Sequence, residues 1–142
     1  MSLASAGDRL RFTDFAFERT ADGHCRAVVG YEWSGGRTFS GEARGLGSEA
    51  GELRCAAQAA LNALEAAVER RVTFDLLGVK AVRAFDSIVV LVSVSAHLDG
   101  ASHRLVGSYL TEEQSPRSAA LAVLHATNRV LGNLFARDGE SQ

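Results

Sequence analysis

Apolar and polar residues alternate along residues 10–19 (LRFTDFAFER), with Leu10, Phe12 and Asp14 on one side and Thr13, Phe15 and Phe17 on the other. A period of two marks a strand, and the aromatic content suits one. Ala21-Asp22-Gly23 is turn chemistry, because glycine tolerates positive φ and aspartate bonds its own backbone. Residues 24–33 place Cys25, Ala27, Val29, Tyr31 and Trp33 opposite Arg26, Val28, Gly30 and Glu32, which predicts a half-buried strand. Ser34-Gly35-Gly36 reverses the chain, and residues 37–45 complete a three-stranded antiparallel meander.

The period then changes. From Glu49 to about Arg70, the residues Leu53, Ala57, Ala60, Leu61, Leu64 and Val68 recur at spacings of three and four, the stripe of an amphipathic helix. Ser48 is its N-cap, Glu49 and Glu52 suit the positive end of its dipole, and Arg70 and Arg71 suit the negative end. Alanine within the stripe predicts close approach to a sheet. Residues 72–84 are again extended, Phe85-Asp86-Ser87 turns, and residues 88–98 (IVVLVSVSAHL) read as a central strand. Asp99-Gly100 signals a hairpin, and residues 103–110 return. Ser115 caps a second helix opening on Pro116, with Ala120, Val123, Leu124, Thr127, Leu131 and Leu134 as its stripe. Residues 137–142 read as a frayed polar tail.

The two halves correspond residue by residue. AALNALEAAV, residues 59–68, lies over AVLHATNRVL, residues 122–131, at a shift of 63. Phe12, Phe15 and Arg19 meet Leu76, Val79 and Arg83 at a shift of 64, and Phe39-Ser40-Gly41 lies beside Leu105-Val106-Gly107. The expected fold class is α+β: a single domain over residues 1–142 made of two βββα repeats, about 9–70 and 72–136. Neither unit can bury its sheet face alone, so an antiparallel sheet layer should carry both helices.

The residues Gly41-Glu42-Ala43-Arg44-Gly45-Leu46-Gly47 lead into Ala56-Ala57-Gln58-Ala59-Ala60-Leu61, and the second half holds Gly107, Ser118-Ala119-Ala120 and Ala126-Thr127-Asn128-Arg129-Val130-Leu131. In these features the doubled unit resembles the C-terminal regulatory domain of 2-isopropylmalate synthase, over nearly the whole chain. The resemblance implies a homodimer and a small end-product ligand near the strand–helix loops.

Composition narrows the function classes. With 46% hydrophobic and 23% charged residues in 142, wholesale disorder is excluded. A net charge of -2 argues against general binding to nucleic acid or an anionic membrane. No apolar run reaches the length of a membrane span, and residues 1–8 lack the apolar core of a signal peptide. Two cysteines are too few for a disulfide framework and read as reduced thiols, which points to the cytoplasm. Lys80 is the one lysine beside fourteen arginines, a coding bias that weakens arginine as a sign of phosphate recognition.

Candidate chemistry is sparse. The glycines of Gly41-x-x-x-Gly45-x-Gly47 could aim backbone N–H groups at an anion, with Arg44 and Arg54 as carboxylate partners. The candidate ligand-binding set is therefore Arg44, Gly45, Gly47 and Arg54. His97-x-Asp99-x-x-x-His103 has metal-like content, yet Asp99-Gly100 is what a plain hairpin wants, so no metal or other cofactor is assigned. Cys25 and its neighbour His24 point to opposite faces of a strand, and Cys55 in an alanine-rich helix behaves as a small hydrophobe. No catalytic residue is assigned. Tyr31, Trp33 and Phe39 are open to two readings, core closure or a partner patch. The function expected is a non-enzymatic binding or regulatory module, homodimeric, taking a small anionic or amino-acid-like ligand near the strand–helix loops. The alternatives are an assembly subunit that binds a partner enzyme, and a small metal-dependent or acyl-binding enzyme.

Overall fold

The computed structural model describes residues 10–140, with side chains except at positions 129 and 132–140. Strands β1 (Leu10–Arg19), β2 (His24–Trp33) and β3 (Thr38–Leu46) form an antiparallel meander in the order β1-β2-β3, followed by helix α1 (Glu49–Ala67). Strands β4 (Thr73–Ala84), β5 (Ser87–Leu98) and β6 (Ala101–Thr111) form a second meander, followed by α2 (Pro116–Glu140). The architecture is α+β and repeats βββα twice, as expected. The sheet layer is divided into two three-stranded sheets. Helix α1 packs on β2 and β3, α2 packs on β5 and β6, the helices pack on each other, and α1 also reaches β4. Helical backbone continues to Glu140, so the expected tail begins as helix. The side chain of Leu134 and residues 141–142 lie outside the described residues.

Equivalent irregularities establish the repeat more firmly than sequence similarity does. The β1–β2 register shifts between Phe12 and Asp14, and the β4–β5 register shifts between Leu76 and Gly78, the matching place. An extra residue in one strand reverses which side later residues face. Strict alternation put Phe12 opposite Phe15 and Phe17, but the bulge brings all three to one side. Phe12 and Phe15 stack at 6.4 Å between ring centroids, as do Phe15 and Phe17.

Glycine sets the distance between helix and sheet. Gly41 pairs with Val29, and Gly107 pairs with Val92, both centres of their sheets. A Cβ on Gly41 would lie 2.2 Å from the Ala63 nitrogen and 2.6 Å from the Ala59 oxygen. On Gly107 it would lie 2.2 Å from the Ala122 oxygen and 2.5 Å from the Ala126 nitrogen. Helix backbone thus rests on strand backbone at equivalent points. The alanines beneath form a second buried stripe, Cys55, Ala59, Ala63 and Ala67, beside the leucine stripe expected. Burial on two sides fits a helix wedged between its own sheet and the other repeat.

Trp33 and Tyr31 are fully buried, which places them in the core, with Phe39 half-buried beside it. The Trp33 Nε1–H donates to the Ala67 carbonyl at 3.3 Å and satisfies an orphan acceptor at the end of α1. That helix stops at Ala67, short of Arg70, because Glu69 and Arg70 turn left-handed at φ 55 and 61. The Arg70 N–H then closes the turn on the Glu65 carbonyl at 2.9 Å. Tyr31 has no hydrogen-bond partner for its hydroxyl among the described residues, and burial pushes its ionisation upward.

Two expectations follow. Gly41→Ala and Gly107→Ala should each lower stability by on the order of 3 kcal/mol, since neither helix backbone can yield without leaving its sheet. Chemical denaturation reads this, and an unchanged midpoint would refute the backbone contact. Tyr31→Phe should raise the melting temperature, because it removes a buried hydroxyl that gains no bond. A fall would mean that the hydroxyl has a partner.

Candidate functional site

The glycine-rich segment is strand for most of its length. Strand β3 extends through Leu46, so Gly41 and Gly45 are strand residues whose missing side chains admit α1. Gly47 lies in the connection and donates its N–H to the Gly23 carbonyl at 2.9 Å. Arg54 projects from α1 toward the second repeat and donates to the Leu76 carbonyl at 3.2 Å. Arg44 stands on the solvent face of the first sheet, 3.7 Å from Glu42. The four expected site residues therefore occupy different surroundings and do not converge.

The hairpin histidines part for a reason of register. His97 pairs with Ser102, whereas His103 pairs with Ala96, so the two rings stand on opposite faces of the sheet. Asp99 sits in the turn at φ 54. No group of three metal-ligating side chains gathers among the described residues. His97 has other partners. Its Nε2 is 2.8 Å from Asp75 Oδ2, and its Nδ1 is 2.7 Å from Ser102 Oγ. In the neutral ring, the Asp75 carboxylate fixes the proton on Nε2 and leaves Nδ1 to accept from Ser102. This order of groups is that of a nucleophile relay, but the His97 side chain is 39% and that of Asp75 71% exposed on an open sheet face. Such exposure lacks the enclosed, dry acyl site on which that chemistry depends.

The two strand–helix connections do converge, at a place marked by other residues. A hollow of about 190 Å³ is lined by Arg19, Glu49, Glu52, Leu53, Gln114, Ser115 and Pro116. It brings together the end of β1, the first turn of α1 and the start of α2. Arg19 grips Glu52 with both ends of its guanidinium, Nε to Oε2 at 2.6 Å and Nη2 to Oε1 at 2.9 Å. This fork geometry fixes the cation at the hollow, and the carboxylate raises its pKa further. Glu52 is itself buried, which its helix N-terminal position and Arg19 together make tolerable. Across the opening, Gln114 Nε2 donates to Glu49 Oε1 at 2.8 Å and ties the two repeats. Leu53 and Pro116 supply an apolar wall. Ser48, the expected N-cap, accepts from the Gly51 N–H at 3.0 Å and holds the turn that carries both glutamates.

A second hollow of about 190 Å³ at the end of the first sheet includes Arg44, with Arg26, His24, Thr20, Asp22, Glu18 and Cys25. Its arginines are paired with carboxylates, as Arg19 is in the first hollow, but here no apolar wall stands beside them. Arg26 Nε is 2.6 Å from Glu42 Oε2, and Arg26 Nη1 is 3.6 Å from Glu18 Oε1. The Arg26 guanidinium in turn holds the Glu42 carboxyl below its ordinary pKa, as does Arg44 to a lesser degree.

Arg19, Glu52 and Gln114 escaped the sequence reading because they belong to β1, α1 and the β6–α2 connection and share no spacing. One signal was available: Glu52 sits on the buried side of α1, and a buried carboxylate requires a cation. No helix among the described residues is long and apolar enough to cross a membrane. No protein-family model matches the chain, and no curated protein matches its sequence.

Proposed function

We propose that the chain is a non-enzymatic binding module of regulatory type that takes a small amino-acid-like ligand between its two strand–helix connections. The observation that carries this reading is the charge layout of the hollow between the repeats: one guanidinium, two carboxylates and an amide around an apolar wall of Leu53 and Pro116. A zwitterion suits it. The ligand carboxylate meets Arg19, its ammonium meets Glu49, and a small apolar side chain lies on Leu53 and Pro116. The resemblance to the regulatory domain of 2-isopropylmalate synthase points to the same class of ligand and to the same connections.

The module acts as a homodimer, and here the contrast between the two sheets is the support. On the solvent face of the first sheet, Glu18, Arg26 and Arg44 stand side by side across three strands and form an ion-pair ladder with Glu42. The matching row of the second sheet is Val82, Val89 and Leu110, with Leu91 in the next row. Val106 and Leu110 are 67% and 66% exposed, and Phe85 at the adjoining turn is fully exposed at φ 57. A bulky residue held left-handed in open water is strained without local return. An apolar row facing its own copy needs no complementary charge, so a second copy is the simplest cover. Three strands of this length present roughly 500 Å² per copy, and the two copies together reach the lower limit for a specific interface.

Two measurements test these readings. In a thermal-shift panel of amino acids and 2-oxo acids at millimolar concentration, at least one zwitterion should raise the melting temperature. Arg19→Ala should abolish that response and Arg54→Ala should keep it. Silence across the panel would overturn ligand binding. Light scattering at micromolar concentration should give twice the 15.1 kDa chain mass, and Val89→Glu should give a single chain. A wild-type monomer would overturn the dimer, and a stoichiometric partner enzyme purifying with that monomer would favour the assembly-subunit reading.

A further inference from the structure

We infer that Cys25 and Cys55 are a peroxide-sensitive thiol pair that closes into a disulfide joining β2 to α1. Both are buried free cysteines, separated by about half of one repeat in sequence and brought together by the fold. The juxtaposition follows from Gly45. It pairs directly with Cys25 across β2 and β3, and having no side chain it leaves the space above that pair empty. Cys55 fills the space: its Cβ lies 3.3 Å, and its Sγ 3.9 Å, from where a Gly45 Cβ would stand. From there Cys55 Sγ is 3.9 Å from the Cys25 carbonyl and donates to the Ala43 carbonyl at 3.3 Å. Cys25 Sγ donates to the Leu46 carbonyl at 3.4 Å. The matching positions of the second repeat hold Ile88 and Ser118, so the pair belongs to the first repeat.

The two sulfurs differ in access. Cys25, itself buried, borders the hollow that opens between His24, Thr20 and Arg44, the side from which a small oxidant would approach. Cys55 lies beneath the helix, and burial pushes its thiol up to about 12. Oxidation therefore starts at Cys25. Its sulfur attacks one oxygen of hydrogen peroxide, the O–O bond breaks, and the departing hydroxide takes the thiol proton and leaves as water. The resulting Cys25 sulfenic acid faces Cys55. The Cys55 sulfur attacks the Cys25 sulfur, the S–O bond breaks, and the hydroxide leaves as a second water with the Cys55 proton. Peroxide is reduced, and the two sulfurs together lose two electrons.

The test treats the native protein with hydrogen peroxide, then denatures it in an alkylating reagent for thiol counting and peptide mapping. The expected result is loss of both thiols together, a mass lower by two hydrogens, one peptide linking Cys25 to Cys55, and full recovery with reductant. In Cys55→Ala, Cys25 should stop at the sulfenic acid, trapped by a 1,3-diketone probe. Two free thiols after treatment, an oxidised Cys25 with Cys55 still unlinked, or disulfides between chains would each overturn the pair. The readout is independent of ligand binding, so failure of the binding module leaves it standing.

Discussion

The constraint on which the fold rests is a seat of main chain on main chain. Gly41 and Gly107 let two helices lie on two sheets with no side chain between them, and much else follows from that distance. Leucine or valine beneath the helices would hold them away, so alanine lines the sheet side of α1 at Ala59 and Ala63 and of α2 at Ala122 and Ala126. Larger residues, among them Leu61 and Leu64, are buried on the other stripe of α1. Close-packed interiors tolerate little change of volume, and here the constraint falls on atoms that no rotamer can move. The thiol pair depends on the same device one turn earlier, at Gly45.

The duplication has kept its skeleton and changed its surfaces. Bulge, central strand and glycine seat recur in both halves, whereas the solvent faces have diverged from an ion-pair ladder to an apolar row. Surface ion pairs of the Arg26–Glu42 kind add little stability, so this divergence was energetically open. The junction between the halves has neither pattern. It draws Arg19 and Glu52 from one repeat and Gln114, Ser115 and Pro116 from the other, and neither repeat could build it alone.

The order of elements was legible because it depends on local period and turn chemistry, and the repeat because the helical shift of 63 is constant. What stayed hidden was non-local. An extra residue at Thr13 reversed the expected faces of β1, since a bulge has no signature in a phenylalanine-rich strand. The glycines of β3 looked like a ligand loop, because a glycine that admits a helix and one that admits an anion are the same residue. The hairpin histidines looked close at a spacing of six, and only register separates them onto opposite faces. Of the hollow, the neighbourhood was legible, the strand–helix connections, but not Arg19 or Gln114, which reach it from positions far apart in the chain.

The two solvent faces also bear on how a doubled chain avoids assembling itself wrongly. Bulges and glycine seats coincide in the two halves, and tandem repeats are prone to exchange of equivalent parts. The cross-strand rows tell the partners apart. In the correct pairing Glu18 stands beside Arg26 and Val82 beside Val89. Exchanged, Glu18 would stand beside Val89 and Arg26 beside Val82, stranding a charge on each sheet next to an aliphatic chain. The divergence of the surfaces thus favours, in each half, the pairing of a strand with its own neighbour.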